Sequence, residues 1–116
     1  VIVGIGTDIV EIARLEQVGL DRLMNKILTD EELTLVPIKE KRKKEYIAGR
    51  FAAKEAISKA LGTGIGSSFA FQDVAILNDS LGAPKVIWKE ITGKPMVHLS
   101  ISHSEHYAVA MVVLER

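Results

Sequence analysis

Apolar and polar positions recur along this chain with periods that predict its elements one after another. Residues 1–12 are rich in Val and Ile and broken by glycines, which predicts a buried strand that bends near Gly4 or Gly6. From about Ala13 to Leu28, the positions Leu15, Val18, Leu23 and Ile27 return at roughly helical spacing. Gly19 weakens the middle, so this segment reads as one broken helix or two short ones. Thr29 followed by Glu32 fits a capping box, with Asp30 and Glu31 favourable in a first turn, and a short helix should run to the residue before Pro37. A longer helix is predicted from about Glu40 to Leu61. Tyr46, Ile47, Ala53, Ile57, Ala60 and Leu61 make its apolar side, and Gly62-Thr63-Gly64 ends it.

After Gly66 the pattern becomes that of strands. About Ala70 to Leu77 and Lys85 to Lys89 read as a hairpin joined by the Asn78 to Pro84 turn. Met96 to Ser102 alternates, with Val97, Leu99 and Ile101 on one face, and His106 to Leu114 is a further strand reached through a short turn. Helices gather in the first half and strands mainly in the second, which predicts an α+β fold with an antiparallel sheet packed against helices. No internal repeat, low-complexity tract or linker interrupts the chain.

Composition narrows the class. With 116 residues, 47% of them hydrophobic, the chain suits one domain over residues 1–116 whose core needs no staple. It has no cysteine, so disulfides, thiolate metal sites and a cysteine nucleophile are excluded, and any metal must be held by oxygen or imidazole. Fifteen basic and fifteen acidic side chains cancel, which argues against a surface moulded to nucleic acid. The first residues lack the basic lead and length of a signal peptide, and no run approaches the roughly 20 apolar residues of a membrane span. The chain therefore reads as soluble and cytoplasmic.

Several residues stand out chemically. Asp8 lies inside the apolar run Ile5-Gly6-Thr7-Asp8-Ile9-Val10 and would be costly to bury without a cation; the alternative is an exposed face of an edge strand or an Asx turn. Glu55 and Lys59 lie four apart on one helical face, with Ser58 adjacent and Arg50 more than a turn earlier. Such a pair is ordinarily a solvated one worth about 0.3 to 0.5 kcal/mol. Together, though, two carboxylates and nearby Lys and Arg form an inventory for handling phosphate, in which the acids ligate a hard ion such as Mg²⁺. Gly62-Thr63-Gly64-Ile65-Gly66 follows a helix, whereas a phosphate-cradling P-loop precedes one, so helix termination explains it better. His98, His103 and His106 make no recognisable metal spacing, and Ser102-His103-Ser104 is no serine-protease signature.

Three stretches carry a resemblance: Gly4-Ile5-Gly6-Thr7-Asp8-Ile9-Val10-Glu11-Ile12, then Arg50-Phe51-Ala52-Ala53-Lys54-Glu55-Ala56-Ile57-Ser58-Lys59-Ala60, and Ser100-Ile101-Ser102-His103-Ser104. Together, in this order and separation, they resemble the holo-acyl-carrier-protein synthase family, over nearly the whole chain. The resemblance implies a 4′-phosphopantetheinyl transferase-like fold and transfer of 4′-phosphopantetheine from coenzyme A to a serine of apo acyl carrier protein, releasing adenosine 3′,5′-bisphosphate, in fatty acid biosynthesis. It makes Asp8 and Glu55 ligands of Mg²⁺, places Lys59 beside the pyrophosphate, and makes Lys41, Arg42, Arg50, Ser58, Gly62, Gly82, Pro84 and His103 contacts of coenzyme A. It further implies a homotrimer whose active sites lie between subunits, so that several of these contacts come from a neighbouring chain. Glu55 is then the best-placed base for the serine hydroxyl.

Acyl carrier proteins are small and acidic, so the partner should meet a local basic surface. Arg14, Arg22 and Lys26 fall on one stripe if the helix continues past Gly19, although Glu16 and Asp21 dilute its charge. Two other classes stay open at this point: a non-catalytic module that binds coenzyme A or a carrier protein, and a magnesium phosphohydrolase in which water replaces the serine.

Overall fold

The computed structural model describes residues 1–116. Strand β1 (Ile2–Glu11) runs into helices α1 (Ile12–Val18), α2 (Leu20–Ile27), α3 (Asp30–Leu33) and α4 (Glu40–Leu61); strands β2 (Val74–Asn78), β3 (Pro84–Trp88), β4 (Met96–His103) and β5 (Tyr107–Glu115) follow. The predicted α+β class is therefore the observed one. The strands divide between two antiparallel sheets, β1-β5-β4 and the hairpin β2-β3. A short 3₁₀ turn over Phe71–Asp73 occupies the start of the segment expected to be strand, because the Asp73 carboxylate accepts from the Ala70 N–H at 2.9 Å and tightens the chain there.

Local signals act as the sequence suggests. Gly19 adopts φ +107° and splits the first helical segment in two. Thr29 caps α3: the Glu32 N–H donates to the Thr29 hydroxyl while the Thr29 N–H donates to the Glu32 carboxylate at 2.9 Å. Gly62 ends α4 in the left-handed region at φ +79°, where its N–H donates to the Lys59 carbonyl.

Helix α4 is the axis of the molecule and is buried around much of its circumference. Ala52, Ala53, Ala56, Ile57 and Ala60 pack on Ala110, Val112 and Leu114 of β5 and on Val74 and Ile76 of β2. On the other side Ile47 and Ala48 meet Ile12, Leu15, Leu23, Ile27, Leu28 and Phe71. The alanines keep α4 thin, and Gly4 and Gly6 of β1 bring the strand closer still: a Cβ on Gly4 would overlap the Ala60 carbonyl, and one on Gly6 the Ala56 carbonyl.

The expectation of a buried first strand needs correction. β1 is an edge strand, paired with β5 alone, and only its even positions face α4. Val10 packs inward, but Val3, Ile5 and Ile9 point the other way: Ile5 and Ile9 are 66% and 65% exposed, and Met111 on the same face of β5 is 52% exposed. Apolar residues at odd positions thus form an uncovered sheet face. No helix is long and apolar enough to cross a membrane.

Candidate active site

Close packing of α4 on β1 builds the first half of the site. Asp8 is the next even position after Gly4 and Gly6, so it shares their face toward α4. Its side chain is only 14% exposed, and the Lys59 ammonium donates to Asp8 Oδ1 at 2.9 Å and to the Thr7 carbonyl at 3.1 Å. Of the two alternatives for Asp8, the strand is an edge strand, yet the side chain turns inward to a cation. Lys59 bypasses Glu55, its neighbour one helical turn away, for a residue across the packing interface. Glu55 has no ion-pair partner, and its carboxyl is raised above its ordinary pKa, first by burial and then by the negative charge of Asp8, with Lys59 opposing. Two carboxylates are thus near enough for the charge of one to be felt at the other, and no third acidic or histidine side chain joins them as a metal cluster.

The second half is a cavity of about 700 Å³ on the opposite edge of the three-stranded sheet. Asp8 pairs with Ala110, and Ala110 with Ile101 of β4, so Asp8 and the cavity wall at Ile101 lie in one row at the two edges. Arg42, Glu45, Tyr46, Gly49 and Arg50 line this cavity from α4, and Gly82 of the hairpin turn, Pro84 at the start of β3 and His103 of β4 close it. The spacing 42, 46, 49, 50 is one helical face. Arg50 is 7% exposed; its guanidinium lies 4.1 Å over the Tyr46 ring and donates to the Ile76 carbonyl at 3.2 Å and to Asn78 Oδ1 at 3.4 Å. Its Nε is buried with no partner. His103 Nδ1 lies 3.4 Å from the Glu45 carboxylate. A cationic, half-enclosed cavity with an unpaired guanidinium N–H suits an anion.

The other predicted contacts fall outside this cavity. Lys41 is exposed beside Arg42 and does not line the wall. Ser58 is buried and its hydroxyl donates to the Glu55 carbonyl at 2.6 Å, so the ligand-free chain does not present it to solvent. Gly62 lies at the exposed C-terminal end of α4, past Lys59. Because Gly19 ends α1, Arg14 stands on a different helix from Arg22 and Lys26, and the three do not form one continuous helical stripe, although all are exposed. The histidines stay apart: His98 pairs with Glu115 at 2.8 Å, while the His106 carbonyl accepts the Ile12 N–H.

Sequence reasoning overlooked the residue between the two halves. Lys54 is fully buried, and its Nζ donates to Glu32 Oε1 at 2.6 Å, the Ile27 carbonyl at 2.7 Å and the Phe71 carbonyl at 2.9 Å. Three acceptors require three N–H donors, so the group is an ammonium. Burial pushes its pKa down and Glu32 pulls it back. Glu32 Oε2 in turn accepts the Ile76 N–H at 2.8 Å, and the Ile76 carbonyl takes Arg50. The backbone of one residue, Ile76, thus ties the buried pair to the cavity through its N–H on one side and its carbonyl on the other. The signal was available: Lys54 lies at helical spacing from Ile47, Arg50, Ile57 and Leu61, well inside the buried length of α4.

Comparison with known proteins agrees with this architecture. Residues 4–112 match the model of the 4′-phosphopantetheinyl transferase superfamily. A holo-[acyl-carrier-protein] synthase of Anoxybacillus flavithermus is 51% identical over 99% of this chain and 97% of its own. A crystal structure of a holo-(acyl-carrier-protein) synthase from Bacillus anthracis in complex with CoA (3′,5′-ADP) superposes with TM-score 0.90 at 51% identity, covering 98% of this chain and 96% of that one. The Helicobacter pylori synthase in complex with coenzyme A gives TM-score 0.84 at 35% identity over 96% of this chain and 99% of its own. With its fold and nearly its full length shared with these proteins, the chain belongs to the 4′-phosphopantetheinyl transferase superfamily, among the holo-acyl-carrier-protein synthases.

Proposed function

We propose that residues 1–116 form one transferase domain that moves 4′-phosphopantetheine from coenzyme A to a serine of apo acyl carrier protein, releasing adenosine 3′,5′-bisphosphate, for fatty acid biosynthesis in the cytoplasm. The observation that carries this reading is the meeting of Asp8 and Glu55 beside Lys59, in a fold whose relatives include a synthase in complex with coenzyme A.

The donor set fits magnesium. Two hard oxygen ligands that repel each other, with no third acid beside them, suit an ion that accepts one or two carboxylates and leaves its remaining positions to phosphate and water. Asp8 and Glu55 would hold it, and when bound it supplies positive charge against the pyrophosphate. The chain's own groups do the rest. The serine oxygen bonds to the phosphorus carrying pantetheine, and the bond from that phosphorus to the bridging oxygen breaks. The hydroxyl proton passes to Glu55, directly or through a water. Lys59 stabilises or protonates the departing phosphate. Arg42, Arg50 and His103 receive the anionic nucleotide end, with Gly82 and Pro84 as walls and Lys41, Ser58 and Gly62 as flanking contacts.

The two halves of the site are separated by α4, whose diameter with side chains is about 10 Å. We infer that each coenzyme A spans two chains of a homotrimer, with the carboxylates of one facing the cavity of the next. The bare apolar face around Ile5, Ile9 and Met111 supports such an assembly. Exposed Arg14, Arg22 and Lys26 offer positive charge to an acidic carrier protein.

The test mixes the protein with coenzyme A, Mg²⁺ and apo carrier protein and weighs the carrier. A gain of one phosphopantetheine, lost in Asp8→Asn and Glu55→Gln, supports transfer. Binding of coenzyme A without a mass gain, or phosphate release without carrier, would overturn it.

A further inference from the structure

Lys59 makes a choice that a solvated helical residue does not ordinarily make. The pair open to it on its own helix is Glu55 at i−4, yet it reaches across to β1 and bonds both Asp8 Oδ1 at 2.9 Å and the Thr7 carbonyl at 3.1 Å. Asp8 is largely covered while Lys59 is half exposed, so the ammonium closes the acid's open side. Glu55 is left without a cation.

Resting on the metal and pyrophosphate reading above, we propose that Lys59 is an exchangeable internal counter-ion that couples metal binding to coenzyme A binding. In the ligand-free chain its ammonium occupies the cation position at Asp8. A divalent ion arriving at Asp8 meets that charge and must displace it, which weakens metal binding on its own. The pyrophosphate offers the ammonium new acceptors within the same site, so coenzyme A releases Asp8 as it binds. Metal then binds more tightly with coenzyme A present, and coenzyme A binds more tightly with metal present by the same factor. The arrangement holds the Asp8 carboxylate against a cation while no ligand is there. No bond is made or broken; one cation replaces another.

The experiment uses the full chain, without carrier protein, and Mn²⁺ as the probe, with free Mn²⁺ counted by electron paramagnetic resonance. Lys59→Met should bind Mn²⁺ about fivefold more tightly than the unmodified protein when coenzyme A is absent, the scale of losing one half-exposed ion pair. Saturating coenzyme A should tighten Mn²⁺ binding more in the unmodified protein than in Lys59→Met. The Lys59 side-chain ammonium resonance, assigned by its loss in the variant, should shift when Mg²⁺ saturates the protein with coenzyme A. Equal or weaker Mn²⁺ binding by Lys59→Met without coenzyme A, or equal tightening by coenzyme A in both proteins, overturns the proposal. Asp8→Asn should abolish the Mn²⁺ site; retained binding would overturn the proposal together with the metal reading. The carrier mass assay is independent, so a chain that modifies carrier but shows no Lys59 effect keeps the transferase reading and loses this one.

Discussion

Replacing Lys54 by Met keeps the length and much of the volume of the side chain but removes its charge from a place with no water. Glu32, also fully buried, would keep its N–H donors from Thr29 and Ile76 and lose its only cation. The carbonyls of Ile27 and Phe71 would lose the donor that joins α2 and the 3₁₀ turn to α4. Breaking a buried ion pair from one side typically costs about 3–5 kcal/mol, because the remaining charge stays buried. At about 4 °C per kcal/mol for a chain near this size, the melting temperature should fall by roughly 12–20 °C. Urea unfolding measures the free-energy loss and a thermal scan the fall in melting temperature, both at one protein concentration because assembly makes stability concentration-dependent. Adding Glu32→Gln to Lys54→Met removes the stranded charge and should recover at least about 1 kcal/mol, a coupling that only neighbouring groups produce. A loss below about 1 kcal/mol in the single variant, or a double variant no better than the single one, would refute the assignment of this pair as a structural clamp.

Three further predictions follow from the same geometry. Gly6→Ala should push β1 away from α4, because the obstacle is the Ala56 backbone carbonyl and not a movable side chain; a cost at or above the usual 1–3 kcal/mol of overpacking and loss of carrier modification should appear together in unfolding and mass assays. Because Glu55 has a raised pKa, the native chain binds more protons than the unfolded one between the ordinary glutamate value of 4.5 and the raised value, so stability should fall as pH rises through that window. Melting curves against pH should lose this slope in Glu55→Gln, and a slope unchanged in the variant would assign it elsewhere. Ile5→Asp places a charge on the uncovered sheet face without touching the packing of α4; sedimentation should show smaller species than for the unmodified protein, and an unchanged distribution would remove that face from the assembly.

What the sequence determined by itself was local. The capping box of Thr29 and Glu32, the split at Gly19, the stop at Gly62 and the extent of α4 depend on residues within about one helical turn of each other, and such contacts can be read from a linear string. The α+β class followed from the order of those elements. Asp8 and Glu55 were brought together beforehand only by their resemblance to a family's motifs; their spacing gives no hint, because they lie 47 positions apart and meet only through the packing of a helix on an edge strand. Only the tertiary structure decided which partner each charge would take. Lys59 could have served Glu55, and Lys54 could have been one more solvated lysine of α4. Glycines at positions 4 and 6 press α4 onto β1 and bring Asp8 within reach of Lys59, while the elements closing over α4 leave Lys54 no water and supply Glu32 and two carbonyls instead. Likewise, the Val and Ile content of residues 1–12 announced a buried strand, but burial is a property of what packs against each face, and within this chain nothing covers the face of Ile5 and Ile9.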